Sequence, residues 1–155
     1  MISYRQSDEN DFELTFRIKT NSTRQLVEKI WGWDNTVQLE FHKRQFDPNK
    51  IKIIINENHE VGYISTLVND YSIFIESILI ETSFQGKKIG TKVLLDVIKT
   101  AIEQKKNIEL QVFKINDRAK KLYESLNFQT VGQTELHYKM RYEVKAEFRD
   151  TNILI

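Results

Sequence analysis

The chain has 155 residues, a length typical of a single domain that buries a substantial core. Its 23 Lys and Arg residues balance 22 Asp and Glu residues, and the net charge of +1 gives no reason to expect nucleic acid or an anionic membrane as a partner. The absence of cysteine excludes a disulfide framework, a thiolate zinc site and a cysteine nucleophile. Because the polar N-terminus has no signal-peptide core and no run reaches membrane-spanning length, we expect a cytoplasmic, single-domain protein over residues 1–155, with no metal site.

The first part of the chain predicts a strand followed by a helix. Ile2 to Gln6 is a short strand, and a helix begins near Asp8, where several N-cap residues occur. Apolar residues then recur at helical spacing, but weak helix formers at residues 20–23 interrupt the stripe. We expect a kink or a register change there, and Gly32 ends the helix.

A second helix begins at its N-cap Asp34 and runs to about Phe46. Its apolar residues and both tryptophans predict an aromatic cluster around His42. The members of this predicted cluster are Trp31, Trp33, Val37, Leu39, Phe41 and Phe46. Aromatic residues at helical spacing usually pack inside, so a second core layer is the simpler interpretation, and a substrate-pocket wall is the functional one.

Three β-rich runs predict three antiparallel strands, at Ile51–Ile55, Val61–Val68 and Tyr71–Ile80. The first two form a hairpin over the polar link 56–60. On the third strand, Glu76 shares a face with Phe74, Ile78 and Ile80. A charge in the middle of a strand is rarely buried without a role, so Glu76 is either a general base or an exposed residue of an open sheet face.

Residues 78–91 predict a strand, a polar turn with glycines and a helix start in succession. The N–H groups of a helix's first turn have no intrahelical acceptor and lie at the positive end of the helix dipole, so the main chain there can hold a phosphate. Gly86 and Gly90 allow close approach, and Lys87 and Lys88 add charge. Taken alone, this stretch is equally consistent with an ordinary connection that carries solvated lysines.

The helix after this turn has the clearest apolar stripe in the chain and leads to a buried strand at Ile108–Phe113. Residues 78–113 therefore predict a right-handed β-α-β unit with parallel strands. A short further helix is capped by Asn116-Asp117 and ends at Asn127, a residue that tolerates the left-handed conformation.

The last predicted element is a hairpin, in which Phe128–Val131 and Glu135–Tyr142 pair over residues 132–134. We expect residues 144–155 to form a frayed C-terminal extension. Its apolar end, Ile153-Leu154-Ile155, is suited to pack on a sheet edge or on a neighbouring chain.

Two motifs stand on these elements at a characteristic separation: the turn Gln85-Gly86-Lys87-Lys88-Ile89-Gly90 and the run from Asn116 to Phe128, which includes Ala119 and Leu122-Tyr123. Together they resemble the signatures of the GNAT superfamily of acyl-CoA-dependent N-acyltransferases, over roughly residues 60–142. The resemblance implies an α/β (α+β) fold. Such a fold has a mixed, mostly antiparallel central sheet of about six to seven strands, a parallel β-α-β unit and helices on both faces.

Two residues depart from the family pattern. Asn127 replaces a glycine before Phe128, which is harmless because Asn adopts the left-handed cap almost as readily. Lys88 stands where the family has its middle glycine. A helical backbone at Lys88 would accommodate the side chain, whereas a positive φ would strain the turn and weaken cofactor binding.

The resemblance implies acetyl-CoA as the cofactor and assigns roles to particular residues. The backbone of Gln85 to Thr91 would hold the pyrophosphate, and the main chain of Ile78–Ile80 would pair with the pantetheine arm. Lys87 or Lys88 would meet the 3′-phosphate, and Asn116 would bond the pantetheine amide. The cofactor-binding residues implied in this way are Ile78, Leu79, Ile80, Gln85, Gly86, Lys87, Lys88, Ile89, Gly90, Thr91 and Asn116.

The resemblance also implies catalytic roles. Tyr123 would donate a proton to the leaving thiolate, and the N–H of Ile78 would stabilise the oxyanion. As a residue on an apolar helix face, Tyr123 is otherwise a core tyrosine, and Asn116 is otherwise a simple N-cap. We take Glu76 as the candidate base, acting directly or through water, ahead of His42 and His137.

The implied reaction is direct acetyl transfer from acetyl-CoA to a primary amine in a ternary complex, which suits a chain without a cysteine nucleophile. The acceptor is a small-molecule or peptide amine that the sequence does not identify, and a homodimer is left open. Two alternatives of other classes are a non-catalytic acyl-CoA sensor and a protein-interaction module that uses the cluster between Trp31 and Phe46.

Overall fold

The computed structural model describes residues 1–145, which form four α-helices and seven strands. The helices are α1 (Phe12–Trp31), α2 (Asn35–Gln45), α3 (Ile89–Gln104) and α4 (Asp117–Ser125). The strands are β1 (Ile2–Gln6), β2 (Ile51–Asn56), β3 (His59–Val68), β4 (Ser72–Ile80), β5 (Asn107–Phe113), β6 (Gln129–Gln133) and β7 (His137–Tyr142).

The strands form one sheet in the order β1-β2-β3-β4-β5-β7-β6. The β4–β5 pair is parallel and joins Ser72–Ile75 to Asn107–Leu110, whereas β1–β2, β2–β3, β5–β7 and β6–β7 are antiparallel. The predicted fold class is confirmed: a mixed, mostly antiparallel sheet with a parallel β-α-β unit and helices on both faces.

The chain divides into two compact units. Unit 1 comprises Met1–Ser65 and Ser77–Gly90, and unit 2 comprises Thr66–Glu76 and Thr91–Ile155. The core of unit 1 is formed by Ile18 from α1 and by residues of β2 and β3. This core consists of Ile18, Ile51, Ile53 and Tyr63, with Leu14, Phe46 and Leu79 packed against it.

The first hairpin of unit 1 has a shorter connection than the sequence predicts. Glu57 and Asn58 have φ values of 48° and 67°, and β3 begins directly after them at His59. Two consecutive residues with positive φ form a two-residue turn that matches the twist of a hairpin. The predicted five-residue link is therefore wrong in length, although the hairpin itself is confirmed.

The prediction for residues 20–23 was a kink or a register change, and the register change is wrong, because α1 continues through these residues as one α-helix. The hydroxyl groups of Ser22 and Thr23 donate hydrogen bonds to the carbonyl oxygens of Ile18 (2.7 Å) and Lys19 (2.6 Å). Their polar side chains are thus satisfied within the helix, as Ser and Thr often are when packing selects a helix.

The predicted aromatic cluster around His42 exists, and of its predicted members Phe46 is confirmed. The His42 ring packs against Phe12, Phe16 and Phe46, with centroids 4.8, 5.4 and 5.7 Å away. Trp31 and Phe41 are exposed instead, at 62% and 42%. The prediction was wrong here because α1, rather than the α1–α2 connection, supplies two of the rings.

Unit 2 contains the parallel strand pair, and most of its buried apolar residues come from α3 and the strands. Those of α3 are Val93, Leu94, Ile98 and Ala101, and those of the strands are Ile73, Ile75, Ile108, Leu110, Val112 and Met140; Tyr123, Phe128 and Val144 are also buried. The last hairpin is confirmed, but β6 continues to Gln133 with a register shift between Thr130 and Gly132. Its loop therefore lies later than predicted, at residues 134–136.

Val144 is 3% exposed, and its N–H donates to the side-chain oxygen of Asn107, so the predicted fraying does not begin at residue 144. The remainder of that prediction, including Ile153–Ile155, lies outside the described residues. Across residues 1–145, no helix is long and apolar enough to cross a bilayer. In the same range, no three His, Asp or Glu side chains are grouped so that they would hold a metal ion.

Candidate functional site

The glycine turn of unit 1 has the backbone shape of an anion-binding turn. A short 3-10 turn at Thr82–Phe84 follows β4, Gly86 has a φ of 76°, and α3 begins at Ile89. The N–H groups in the first turn of α3 have no helical acceptor. Residues 85–88 are exposed, so these donors and two lysine side chains lie at an accessible surface.

Lys88 adopts a φ of 63°, in the left-handed region that glycine favours. The backbone of Lys88 is therefore not helical but left-handed, which is the strained alternative for this residue. A non-glycine residue in this region costs about 1–2 kcal/mol, which the rest of the turn must offset. Lys87 has no such strain, and its ammonium group lies 5.4 Å from the Phe84 ring centroid.

Gln85 connects the turn to the end of β4 by a hydrogen bond. Its side-chain Nε2 donates a hydrogen bond of 2.9 Å to the carbonyl oxygen of Ile80, and its backbone N–H donates to Thr82. The turn is also tied to α1, because the Thr82 hydroxyl donates to the carbonyl oxygen of Asn21 at 2.7 Å. These bonds hold the turn in place before any ligand binds, which lowers the entropy cost of binding.

The close approach of β3 to the end of β4, beside this turn, requires a glycine that was not among the predicted site residues. A β-carbon added to Gly62 of β3 would overlap the carbonyl oxygen of Leu79 in β4. The N–H of Glu81 also donates to the carbonyl oxygen of Val61 at 2.8 Å. The signal was present, because an isolated glycine inside an apolar strand pattern indicates a close approach of two backbones.

In unit 2, Asn116 is the N-cap of α4, as predicted. Its side-chain oxygen accepts a hydrogen bond of 3.2 Å from the N–H of Ala119, and its backbone carbonyl accepts from Lys120. The cap uses the oxygen of the side-chain amide. The Nδ2 donors of the same amide are compatible with a second hydrogen bond to a ligand.

Tyr123 lies on the buried face of α4 and is 9% exposed. Its ring packs against Phe128, 5.7 Å between centroids, and Phe128 packs against Tyr142 at the same distance. Burial raises the pKa of Tyr123 to about 12, so the phenol keeps its proton at physiological pH. α4 ends at Ser125, and Asn127 follows the C-cap Leu126 with a φ of 70°, which confirms the predicted left-handed residue.

Glu76 is exposed on β4, and the interpretation of a residue on an open strand face fits this burial. His137 stacks on Phe113 of the neighbouring strand, with a centroid distance of 4.3 Å. His42 is 3% exposed, and its Nε2 lies 3.0 Å from the Thr15 hydroxyl. Burial and the nearby Lys19 charge lower the pKa of His42 to about 4, so this residue is a neutral packing histidine at pH 7.

A cavity of about 570 Å³ lies between α1 and α2 within unit 1. Its apolar lining includes Phe12, Phe16 and Leu39, and Glu13 and Arg17 supply charge. Thr20 also lines it, and its buried hydroxyl has no hydrogen-bond partner among residues 1–145. The cavity has the size of a small-molecule site, and its lining mixes these apolar residues with polar and charged ones, which also include Asn21, Asn35 and Lys43.

A protein-family model described as the acetyltransferase (GNAT) family matches residues 19–128 of the chain. The chain belongs to the GNAT acetyltransferase family. Acetyl-CoA is the cofactor of this family, and the protein is an acetyltransferase that uses it. The matched range includes both sequence motifs, from the glycine turn to the end of α4.

Solved structures share the GNAT fold at low sequence identity. PaiA N-acetyltransferase from Thermoplasma acidophilum, solved in complex with coenzyme A, has a TM-score of 0.75 and 14% identity over 92% of this chain and 99% of its own. PH1933 from Pyrococcus horikoshii OT3 has a TM-score of 0.73 and 19% identity, covering 94% and 99%. The ribosomal-protein-S18-alanine N-acetyltransferase from Escherichia coli has a TM-score of 0.68 and 17% identity, covering 95% and 97%.

The glycine turn of this GNAT protein fits a diphosphate. Positive φ at Gly86 and Lys88 shapes the turn, the first turn of α3 supplies N–H donors, and Lys87 and Lys88 supply positive charge. These are the donor types that a cofactor pyrophosphate requires, because main-chain N–H groups and lysines both stabilise anionic oxygens.

Proposed function

We propose that the protein transfers the acetyl group of acetyl-CoA to a primary amine by direct transfer in a ternary complex. The shape of the glycine turn, with a positive φ at Gly86 and at Lys88 immediately before α3, is the observation that carries this proposal. Lys88 takes the left-handed conformation that glycine favours at this position of the motif, and its strain is expected to weaken cofactor binding without abolishing it. The sequence has no cysteine to form an acyl-enzyme through a thiol, which favours direct transfer.

We assign the cofactor pyrophosphate to the backbone of Gln85–Thr91 and its 3′-phosphate to Lys87 or Lys88. The pantetheine arm is assigned to the main chain of Ile78–Ile80, beyond the residues over which β4 pairs with β5. Asn116 supplies a side-chain amide donor to the same arm. Support for Asn116 comes from its cap geometry, which uses only the amide oxygen.

Tyr123 is the proposed acid. When bound, acetyl-CoA supplies an activated thioester whose sulfur gains negative charge as the acetyl group leaves. A buried phenol with a pKa of about 12 is fully protonated at pH 7 and is therefore available as a donor to that sulfur. Tyr123→Phe is expected to lower kcat while leaving the Kd for acetyl-CoA unchanged, and an unchanged kcat with the best acceptor would remove Tyr123 from the mechanism.

Glu76 is the proposed base for the acceptor amine. An ammonium group is not a nucleophile, so a proton must be removed before nitrogen attacks the thioester carbon. Exposure of Glu76 is compatible with access through water. Glu76→Gln is expected to lower kcat/KM most strongly at low pH, where few acceptor molecules carry a free amine.

We assign the acceptor to a small-molecule or peptide amine and propose the cavity between α1 and α2 as a wall of its site. The lining combines apolar rings with the charged Glu13 and Arg17 and with a Thr20 hydroxyl that has no partner among residues 1–145, which suits an acceptor with both an apolar part and several polar or charged groups. A protein N-terminus is among the candidates, since one protein of similar fold is a ribosomal-protein-S18-alanine N-acetyltransferase. A cytoplasmic location and a homodimer stay predictions.

The second candidate is a protein-interaction role, without catalysis, on the same fold. It is favoured by the exposure of Trp31, Val37 and Phe41 at the end of α1 and on α2. Thermal unfolding with acetyl-CoA and with unrelated nucleotides separates the proposals. Stabilisation by acetyl-CoA alone supports the acetyltransferase, and no stabilisation by any of them contradicts it.

A further inference from the structure

Two lysines in unit 2 lie close to the same tyrosine ring. The ammonium nitrogen of Lys120 is 4.8 Å from the ring centroid of Tyr138, and that of Lys114 is 5.5 Å away. Lys114 follows β5, Lys120 lies on α4 and Tyr138 lies on β7. We call these three residues the Tyr138 cluster.

The positive charge of this cluster is poorly compensated. Lys120 has one carboxylate partner, Glu124, at 3.7 Å, and within residues 1–145 Lys114 has no carboxylate at salt-bridge distance. The Lys120 side chain is only 27% exposed, and Lys114 is also half-buried. The ring attracts each ammonium group but carries no full negative charge, so the two positive charges stay unneutralised, and a shared anion would lower their mutual repulsion.

The surroundings also favour an anion. Lys114 and Lys120 flank the N-terminal half of α4, where the helix dipole contributes positive charge. Asp117 in the first turn of α4 is the carboxylate that opposes this effect, and it is exposed. A lysine ammonium group is a compact point charge that suits phosphate and carboxylate oxygens.

We propose that the Tyr138 cluster binds an anionic oxygen group, a phosphate or a carboxylate, through the ammonium groups of Lys114 and Lys120 above the Tyr138 ring. Two sources share this chemistry: a carboxylate on the amine acceptor, or the 3′-phosphate of the acetyl donor, which would then bind here instead of at Lys87 or Lys88. The choice of source rests on the proposed function, whereas binding of an anion to the cluster does not.

Exposed lysines of α4 and β7 provide matched controls. Lys121 is next to Lys120 on α4, and Lys139 is next to Tyr138 on β7; both are exposed. The double variant Lys121→Gln/Lys139→Gln therefore removes the same net charge as Lys114→Gln/Lys120→Gln without changing the Tyr138 cluster. Any general effect of net charge is equal in the two double variants.

The first experiment measures anion binding by the full-length protein. Inorganic phosphate is titrated at constant ionic strength while the thermal unfolding midpoint is recorded. The wild type and Lys121→Gln/Lys139→Gln are expected to show the same phosphate-dependent rise, and Lys114→Gln/Lys120→Gln is expected to show a smaller rise, to which only the glycine turn contributes. An equal rise in both double variants, or no rise in the wild type, overturns the proposal.

The second experiment identifies the source. If it is the cofactor phosphate, the wild type binds acetyl-CoA at least about tenfold more tightly than an analogue without the 3′-phosphate, and Lys114→Gln/Lys120→Gln loses this preference. If it is an acceptor carboxylate, the cofactor Kd is unchanged, and KM rises at least about tenfold only for amines that carry a carboxylate. If Lys114→Gln/Lys120→Gln changes neither the preference for the 3′-phosphate nor the KM of carboxylate-bearing amines, the Tyr138 cluster has no role in the reaction. Failure of the wild type to acetylate any amine contradicts the proposed function instead.

Discussion

Replacing Lys88 with glycine is expected to stabilise the protein, although it removes a side chain from the glycine turn. Lys88 has a φ of 63°, a conformation that costs a non-glycine residue about 1–2 kcal/mol. Glycine removes this strain but gives the unfolded chain more freedom, which costs about 0.5–1 kcal/mol. The expected net gain over alanine at the same position is about 1 kcal/mol.

Lys87 provides the matched control, because it is adjacent, equally charged and without positive φ. At each position, glycine is compared with alanine, so the loss of the lysine side chain and its charge cancels. Glycine is expected to be more stable than alanine at Lys88 and about 0.5–1 kcal/mol less stable at Lys87, measured by urea unfolding. Destabilisation by glycine at both positions would refute the left-handed conformation of Lys88.

Three further predictions concern other residues of the described chain. The pKa of His42 is about 4 in the folded protein and near 6.5 in the unfolded chain, so the unfolded state binds more protons between these pH values. The free energy of unfolding should therefore fall by about 2 kcal/mol from pH 7 to pH 5. This decrease should be absent in His42→Gln but present in the control His59→Gln. Gly62→Ala should cost about 1–3 kcal/mol in urea unfolding because its β-carbon overlaps a backbone oxygen, whereas Gly132→Ala, with its nearest neighbour at 3.6 Å, should cost little; equal effects would contradict the close approach. Since the pKa of Tyr123 is about 12, ionisation of this residue should not lower kcat as the pH rises to about 10. A decrease of kcat in that range that Tyr123→Phe abolishes would contradict the burial of Tyr123.

The sequence predicted the parts of the fold that depend on local signals. The caps Asp34 and Asn116 and the left-handed Asn127 lie where they were expected, because each acts through hydrogen bonds or φ values of a few neighbouring residues. The parallel β4–β5 pair was also predictable, since a strand, a long amphipathic helix and a second strand have one favoured arrangement.

Features that depend on distant residues were not predictable in the same way. Ser22 and Thr23 indicated an interruption, but the packing of α1 keeps them helical. The exposure of Trp31 depends on how α1 ends and α2 begins, and the sequence pattern alone placed it in a cluster. The Tyr138 cluster joins residues from β5, α4 and β7, so no single segment carried its signal.

The position of Lys88 within the candidate site was predictable, but its conformation was not. The resemblance to the family placed Lys88 at a glycine position of the turn, and two backbone conformations were open. The positive φ results from the path between the 3-10 turn and α3, which a motif does not contain. Gly62 is the opposite case. An isolated glycine within a strand indicates a close approach of two backbones, but only the strand pairing shows that the partner is Leu79.

The reaction proposed for this protein is acetyl transfer from acetyl-CoA to a primary amine. The most direct test is to incubate the protein with acetyl-CoA carrying an isotopic label in the acetyl group and with a panel of small-molecule and peptide amines, then to identify products by mass spectrometry. Direct acetyl transfer predicts a labelled N-acetyl product and an equal amount of free coenzyme A thiol, with slower formation of both by Tyr123→Phe. Binding of acetyl-CoA without any labelled amine product, or release of thiol without acetylated amine, would contradict it.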